Sequence, residues 1–297
     1  MFRYLLPCLL AAPALFADSY LFTFFRGNGE TGVYFAQSTD GYHFKPLNGD
    51  NPVIVPQHPG MLMRDPQISR GPDGVWHLVW TTGWNRPEPG APLTIGHATS
   101  RDRLHWGEQQ LIQIPLEGAR NAWAPEMVWD AAKGRWIIFW SSTIPGRFPD
   151  TEKAGDTGYN HRVHSMNTTD FRSFSQPELY FDPGFNCIDA TLARLGPRWV
   201  MVFKDERKNP LVKRLRVAFA TSPAGPFRDV SEPFSGDWVE GPSVTKVGDD
   251  WLIYFDHYAK PQFYGAYLTR DWKQFEDVTS KTSFPANPRH GTVVRLP

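Results

Sequence analysis

The hydrophobic pattern of this chain repeats one short apolar run five times. In each copy an aromatic residue opens the run, apolar residues dominate its middle, and a second aromatic residue closes it. Runs of this length and composition are typical of buried β-strands. The copies begin 52 to 63 residues apart, which indicates five repeated structural units. They span residues 20–24, 76–80, 136–140, 199–203 and 251–255.

Each unit holds further short strands around that run. A second alternating run with a polar tip follows it, as in residues 33–40 and 95–102, and another short strand precedes it. The preceding strand of the first copy is supplied by the C-terminal residues 291–294. We therefore predict an all-β, five-bladed β-propeller with four strands in each blade. Its ring is closed by pairing the C-terminal strand with the N-terminal strands in one blade. A two-sheet sandwich is the alternative, but it leaves the period unexplained.

The first residues have the pattern of a secretory signal. Arg3 precedes a short apolar run that ends in small residues near Ala14 and Ala17. We predict a secretory signal peptide at residues 1–17, a propeller domain at residues 18–297, and a secreted or periplasmic location. An uncleaved N-terminal membrane anchor is the alternative, although the run is shorter than the roughly 18 to 20 apolar residues of a membrane helix.

The charge balance and the cysteines exclude several classes of function. Lys and Arg together number 31, as do Asp and Glu, and no block of one sign occurs. This argues against an electrostatic grip on nucleic acid or, after signal removal, on a membrane. Once Cys8 leaves with the signal, Cys187 stands alone, so the chain offers neither an intrachain disulfide nor a cysteine zinc cluster. The oligomeric state stays open.

Candidate chemistry lies where the first strand of each predicted blade begins. In a propeller these strands line the central axis, so their first residues converge on one pocket. Unlike the framework, these residues differ from blade to blade, which favours a single asymmetric site over a repeated sugar-binding site. Carboxylates at such a pocket suit glycoside hydrolysis, in which one acid protonates the leaving oxygen and another carboxylate activates water. The starts read Arg64-Asp65, Trp123-Ala124-Pro125-Glu126, Ile188-Asp189, Glu240-Gly241 and Arg289-His290.

These five signatures, in this order and at blade spacing, resemble glycoside hydrolase family 43, whose members are five-bladed propellers. The resemblance covers the whole predicted mature chain and makes residues 18–297 a catalytic domain. It implies that Asp65 is the general base, Glu240 the general acid, and Asp189 the carboxylate that orients the acid and tunes its pKa. It also implies inversion at the anomeric carbon, with the base and the acid about 6.5 to 9.5 Å apart.

The charged neighbours give these roles a physical form. Arg64 beside Asp65, or Arg289 across the channel, is expected to keep the base ionised. Asp189 is expected to raise the pKa of Glu240, so that the acid holds its proton near neutral pH.

Further residues are expected to bind substrate through polar contacts and aromatic stacking. Trp123 is the principal candidate platform, and Glu126 is assigned to the pocket wall because it lies two residues beyond the position that matches Asp65. The insertion at residues 145–160 is expected to close one end of the cleft and to favour action at chain ends. The full set of expected substrate contacts is Arg64, Trp123, Glu126, Arg289, His290, Trp84 and Trp238, with Tyr258 and Phe185 as further aromatic candidates.

No cofactor is predicted to be required. Family 43 places a histidine where His290 stands, often near a bound water or calcium ion. The resemblance therefore leaves room for a calcium ion in the central channel, with His290 in indirect contact, although no acidic calcium loop is visible in the sequence.

The substrate is expected to be an α-L-arabinofuranoside or a β-D-xyloside in a plant-type polysaccharide or oligosaccharide. Three alternatives stay open: an exo-acting β-galactan hydrolase, a carbohydrate-binding propeller without catalysis, and a protein-interaction scaffold. Sucrose- and fructan-cleaving propellers share an Arg-Asp-Pro signature, but their Asn-Asp-Pro-Asn stretch is absent near this N-terminus.

Overall fold

The computed structural model describes residues 19–88 and 90–297. These residues form nineteen strands and three short 3₁₀ helices, at Asn48–Asp50, Pro149–Ala154 and Thr279–Lys281. None of these helices is long and apolar enough to cross a membrane. The signal peptide predicted at residues 1–17 lies outside the described residues. The strands are β1 (Tyr20–Phe25), β2 (Val33–Ser38), β3 (Lys45–Pro46), β4 (Arg64–Arg70), β5 (Trp76–Thr81), β6 (Leu93–Ser100), β7 (Gln110–Ile114), β8 (Trp123–Asp130), β9 (Arg135–Thr143), β10 (His161–Thr168), β11 (Glu178–Phe181), β12 (Cys187–Leu195), β13 (Arg198–Asp205), β14 (Arg214–Ala220), β15 (Val239–Val247), β16 (Asp250–His257), β17 (Phe263–Thr269), β18 (Glu276–Asp277) and β19 (Arg289–Arg295).

The strands form five antiparallel sheets arranged as blades. Blade 1 is β4 to β7, blade 2 is β8 to β11, blade 3 is β12 to β14, and blade 4 is β15 to β18. Blade 5 has the order β19-β1-β2-β3, so the C-terminal strand pairs with the N-terminal ones. The inner strands β4, β8, β12, β15 and β19 contact each other in turn around the axis. The five-bladed propeller and its mode of closure are therefore confirmed, and the sandwich alternative is wrong.

Blade 3 departs from the predicted four strands: among the residues that the structure describes, no fourth strand pairs with β14. Three prolines, Pro223, Pro226 and Pro233, interrupt the segment after β14, and proline cannot donate a ladder hydrogen bond. The segment still runs along the edge of β14: Phe219 and Arg228 exchange two backbone hydrogen bonds of 2.8 Å, and the amide of Ser231 donates to Val217. The edge is thus covered without a regular strand.

The second strand of each blade carries the aromatic-framed run, and these runs form the core between blades. Every residue of β1 and β5 is buried. Trp80 and Trp140 close two of the runs and are each 1% exposed. Gly96 stands opposite Trp80 in the ladder, and a Cβ there would lie 1.9 Å from the indole, so glycine is needed at this position. The regular packing of these strands fixes the axial strands that carry the site.

Candidate active site

Each axial strand carries a β-bulge close to its start, and the bulge residue turns towards the axis. In blade 1 the ladder pairs Arg64 with Thr81 and then Gln67 with Val79, so Asp65 and Pro66 together face one residue. Bulges of this kind re-aim a side chain and are frequent beside active sites. The bulge positions of blades 1 to 5 are Asp65, Ala124, Asp189, Gly241 and His290.

Strained backbone accompanies these bulges. Asp65 has φ 51°, Ala124 φ 47° and Asp189 φ 55°, all in the left-handed region that non-glycine residues rarely adopt. Such conformations cost on the order of 1 kcal/mol each and persist where the surrounding structure enforces them, often at functional sites. In blade 4 the same position is glycine, with φ 57°, and the preceding residue is Glu240. The Glu240 side chain therefore enters the pocket from one position earlier than the two aspartates.

Neighbouring blades are joined at this level by hydrogen bonds from the bulge amides. The amide of Ala124 donates to Thr81 Oγ1 across 2.8 Å, and the amide of Gly241 donates to Asp189 Oδ2 across 3.1 Å. The amide of His290 donates to Asp256 Oδ2 across 3.2 Å. The carboxylates are thus held by backbone as well as by side chains.

A pocket of about 470 Å³ opens at this mouth of the axis. Its size and mixture of aromatic and polar walls suit a small ligand such as a sugar. The structure brings together nearly all of the residues expected from the sequence. Those that line the pocket are Arg64, Asp65, Trp84, Trp123, Asp189, Trp238, Glu240, Tyr258, Arg289 and His290.

Two expected contacts lie elsewhere. Glu126 is buried further along the central channel, in a second cavity of about 180 Å³ that it shares with Gln67 and Thr191. Burial raises the pKa of Glu126 to about 8, against a hydrogen bond with Thr191 that lowers it. Phe185 packs in the core of blade 3, where Arg207 lies 4.3 Å from its ring centre. Neither lines the pocket: Glu126 lies beyond the bulge of β8, and Phe185 precedes β12 and packs against the core shared by blades 2 and 3.

Asp65 is held as a carboxylate by its partners. Thr81 donates to its Oδ2 across 2.8 Å, and His290 Nδ1 lies 3.4 Å from its Oδ1. Burial raises the pKa of Asp65, but the hydrogen bond and charge of His290, with help from Arg64, bring it down to about 2. The cation that keeps Asp65 ionised is therefore mainly His290, whereas Arg64 or Arg289 was expected from the sequence.

His290 lies between two carboxylates. Its Nδ1 is 3.4 Å from Asp65 and 3.8 Å from Asp189 Oδ2. Burial lowers the pKa of this imidazole, but Asp189 and Asp65 outweigh burial and raise it to about 9. A histidine that is protonated has no lone pair for a metal. Among the described residues no group of three or more His, Cys, Asp or Glu is placed to hold a metal ion, so these residues do not fit a calcium ion bound directly.

Glu240 is the most densely paired carboxylate of the site. Lys204 Nζ lies 3.1 Å from its Oε2 and Arg289 Nη2 lies 3.0 Å from its Oε1. Burial raises the pKa of Glu240, but Lys204 and Arg289 outweigh it, so the pKa is lowered overall. The raised pKa expected from the sequence is therefore wrong for the substrate-free protein, because two cations face this carboxylate.

Asp189 behaves in the opposite way. It is 6% exposed, and burial together with the negative charge of Glu240 raises its pKa, although His290 opposes this. The two carboxyls repel each other, and this repulsion makes Asp189 the more readily protonated member of the pair.

Residues that the sequence analysis did not assign complete the pocket. Lys204 follows Phe203, the closing aromatic of the third framed run, and pairs with Ile188 in the ladder. The residues at the same position in other repeats include Thr81, Ser141 and Asp256, and each of these bonds to the axial ring. The residue that follows each framed run could therefore have been singled out from the sequence as a candidate site residue. The other unassigned residues that line the pocket are Gly27, Asn28, Asp156, Tyr159, His161, Ile188, Glu206 and Lys213.

Aromatic rings form two walls of the pocket. Trp84 and Trp123 meet edge to face with their ring centres 5.7 Å apart. The ring centre of Trp123 lies 4.9 Å from that of Tyr159 and 4.7 Å from that of His161. On the other side, Trp238 and Tyr258 meet edge to face at 5.8 Å. The indole of Trp84 is 47% exposed and lies 4.1 Å from the Arg64 guanidinium. Exposed aromatic faces beside charged groups are suited to stacking on a sugar ring.

The insertion at residues 145–160 reaches the pocket through Asp156 and Tyr159. Asp156 pairs with Lys208 across 2.7 Å and with Lys213 across 2.8 Å, and Lys213 also pairs with Glu206. The Lys208 pair is exposed to solvent, but the Lys213 side chain is only 3% exposed, so its pair with Asp156 is less screened and anchors the insertion to blade 3. The insertion therefore stands as a fixed wall at one side of the pocket.

Many solved structures share this propeller fold. Residues 17–297 match a family related to glycoside hydrolase family 43, described as a probable glycosyl hydrolase domain. The chain belongs to this family, which confirms the resemblance found in its sequence.

A curated relative is similar to this chain in sequence. An α-L-arabinofuranosidase from Bifidobacterium longum subsp. longum is 24% identical over 266 residues, covering 76% of this chain and 24% of that protein. The chain thus spans about a quarter of the length of this curated relative.

Solved structures share the fold. A family 43 β-1,3-galactosidase with galactodeoxynojirimycin has a TM-score of 0.59 at 11% identity, covering 88% of this chain and 90% of that one. An α-L-arabinofuranosidase from Lactobacillus brevis has a TM-score of 0.56 at 14% identity, with 79% and 90% covered. An exo-β-1,3-galactanase from Phanerochaete chrysosporium, with β-1,3-galactotriose, has a TM-score of 0.60 at 11% identity, with 88% and 60% covered.

Proposed function

We propose that this protein is an inverting glycoside hydrolase that removes sugars from the ends or side chains of a plant-type polysaccharide or oligosaccharide. The observation that carries the proposal is the convergence of Asp65, Asp189 and Glu240, from three blades, on one pocket of sugar size. Family membership supports the same reaction class. A carbohydrate-binding propeller without catalysis, or a scaffold, has no need for three carboxylates in one pocket, two of them held at strained bulges.

The reaction follows from the roles of the charged groups. Asp65, ionised by His290, takes a proton from a water whose oxygen attacks the anomeric carbon. The glycosidic C–O bond breaks on the opposite face, and Glu240 gives its proton to the leaving oxygen. Solvent then resets both carboxyls, since Asp65 has gained a proton and Glu240 has lost one. Asp189 holds the amide of Gly241 beside Glu240 and tunes the acid through its charge.

Inversion is tested by following the anomeric protons of the first product by NMR. A single attack by water gives a product of the opposite anomeric configuration to the substrate. Retention of configuration would contradict the roles of Asp65 and Glu240 as base and acid, because it requires a nucleophile and two displacements.

The substrate proposed is an α-L-arabinofuranoside or a β-D-xyloside at a chain end. The name of the curated relative supports arabinofuranoside, and the fixed wall at residues 145–160 supports action at ends. Chromatography of the sugars released from arabinan, arabinoxylan, xylan and arabinogalactan identifies the glycone. Release of galactose alone would replace the pentoside with an exo-acting β-galactan hydrolase. Secretion and a calcium ion in the channel stay predictions.

A further inference from the structure

Lys204 is a buried cation that the reaction above does not use. Its side chain is 1% exposed, and its Nζ lies 2.7 Å from Glu206 Oε2 and 3.1 Å from Glu240 Oε2. The ring centre of Tyr258 is 4.2 Å from the same nitrogen. A buried ammonium is costly unless it is paired, and here two carboxylates and an aromatic face surround it. The position of Lys204 is therefore tightly defined.

The ion pairs of Glu240 oppose its role as a general acid in the substrate-free pocket. A general acid must hold a proton before it acts, but Lys204 and Arg289 occupy one oxygen of Glu240 each. Arg289 is in turn held by Asp256, whose Oδ2 lies 2.6 Å from its Nε. Arg289 thus divides its charge between two carboxylates within the axial ring. Lys204 divides its charge between Glu240 and Glu206, and Glu206 is also paired with Lys213.

We propose that Lys204, held in place by Glu206, is a positioning residue that keeps the Glu240 carboxylate ionised in the substrate-free pocket and confines proton donation by Glu240 to acidic pH. This inference rests on the proposed function for its consequence in catalysis, but its electrostatic part is measured without turnover. Lys204 acts through Glu240 and needs no contact with the sugar.

Four further charged groups surround Glu240. Arg289 and His290 on β19 favour the carboxylate, whereas Asp189 on β12 and Asp256 on β16 repel it. All four belong to the axial ring and its hydrogen bonds. Lys204 and Glu206 form the one opposing pair that reaches Glu240 from outside this ring, among the described residues that line the pocket.

The pair predicts two shifts of opposite sign. Replacing Lys204 by Met removes a cation next to Glu240, so the pKa of Glu240 rises by about one pH unit or more. Replacing Glu206 by Gln removes the anion that competes for Lys204, so the pKa of Glu240 falls further. A residue that only supports the fold would not produce opposite shifts in the two variants.

The experiment is a carbon NMR titration of the Glu240 carboxyl in glutamate-labelled protein, with Glu240→Gln to assign the resonance. Lys204→Met is compared with Lys204→Arg, which keeps the charge, and with Lys246→Met, which removes an exposed lysine from the same strand as Glu240. We expect a higher titration midpoint in Lys204→Met and one near that of the wild type in the two controls. The basic limb of the kcat/KM profile is expected to move in the same direction.

An unchanged Glu240 midpoint in folded Lys204→Met would overturn the proposal. If that variant does not fold, Glu206→Gln decides, and a midpoint that stays the same or rises would also overturn it. The two proposals fail separately. A shifted midpoint in a protein that releases no sugar keeps the role of Lys204 and refutes the hydrolase.

Discussion

His290 Nδ1 lies 3.4 Å from Oδ1 of Asp65, and both residues stand at the bulge position of their axial strands. The imidazole stands on β19, the C-terminal strand that pairs with β1 to close blade 5, and the carboxylate stands on β4 of blade 1. The ionised state proposed for the base therefore depends on ring closure itself.

Replacing His290 by Gln tests this contact. Loss of the imidazolium removes the main group that lowers the pKa of Asp65, so that pKa rises. Because a base must be ionised to act, the acidic limb of the kcat/KM profile moves to higher pH, by about one unit or more. An acidic limb that stays at the wild-type pH would contradict the assignment of His290 to Asp65.

Replacing Asp189 by Asn tests the tuning of the acid. The negative charge of Asp189 opposes ionisation of Glu240, so its removal lowers the pKa of Glu240 further. The basic limb of the kcat/KM profile then moves to lower pH, and the rate at neutral pH falls. The measurement is a pH-rate profile beside the wild type, and a profile of unchanged shape would exclude tuning by Asp189.

Trp84 is expected to bind sugar without supporting the fold, since its side chain is 47% exposed. Trp84→Ala removes a stacking face at the rim and raises KM by roughly threefold to tenfold, with kcat nearly unchanged. Leu104→Ala is the matched control, because Leu104 is an exposed apolar residue outside the pocket. Equal KM values for the two variants would place the sugar elsewhere.

Buried histidines predict acid sensitivity. Burial lowers the pKa of His97 and of His161 to about 3, and that of His164 to about 4. In the unfolded chain these groups take up protons near pH 6.5, so stability is present above that pH and is lost as pH falls below it. Each histidine lowers the free energy of unfolding by about 2 kcal/mol between pH 6.5 and pH 5.

The measurement is the free energy of unfolding in urea at several pH values. His97→Gln is expected to flatten its dependence on pH by about one proton between pH 6.5 and pH 5. A slope identical to that of the wild type would mean that His97 is protonated in the folded protein.

Much of this architecture was predictable because the repeats are dictated by burial. A framed run such as residues 76–80 is buried along its whole length, since neighbouring blades cover both of its faces, so apolar residues dominate it. Residues that open the axial strands, such as Asp65 and Glu240, were predictable because five different signatures occupy equivalent places.

The electrostatics of the site were harder to predict. The sequence places Arg64 next to Asp65, but the ladder and the bulges bring His290 from the far end of the chain. Likewise Lys204 and Glu240 are 36 residues apart in sequence and meet only because blades 3 and 4 are adjacent. Ion pairs between side chains of different blades depend on rotamers and distances that the local sequence does not reveal. The three-stranded blade 3 was also not predicted, because the repeat indicates a fourth strand, whereas Pro226 and Pro233 prevent regular strand pairing after β14.

The most direct test of the central claim compares three folded proteins on the same panel of arabinan, arabinoxylan, xylan and arabinogalactan. These are the wild type, Asp65→Asn and Glu240→Gln, with thermal unfolding to confirm the fold of each. We predict that the wild type releases one monosaccharide and that each variant loses about 10² to 10⁴-fold in rate. Release by the variants at the wild-type rate, or no release from any polymer by the folded wild type, would contradict the account.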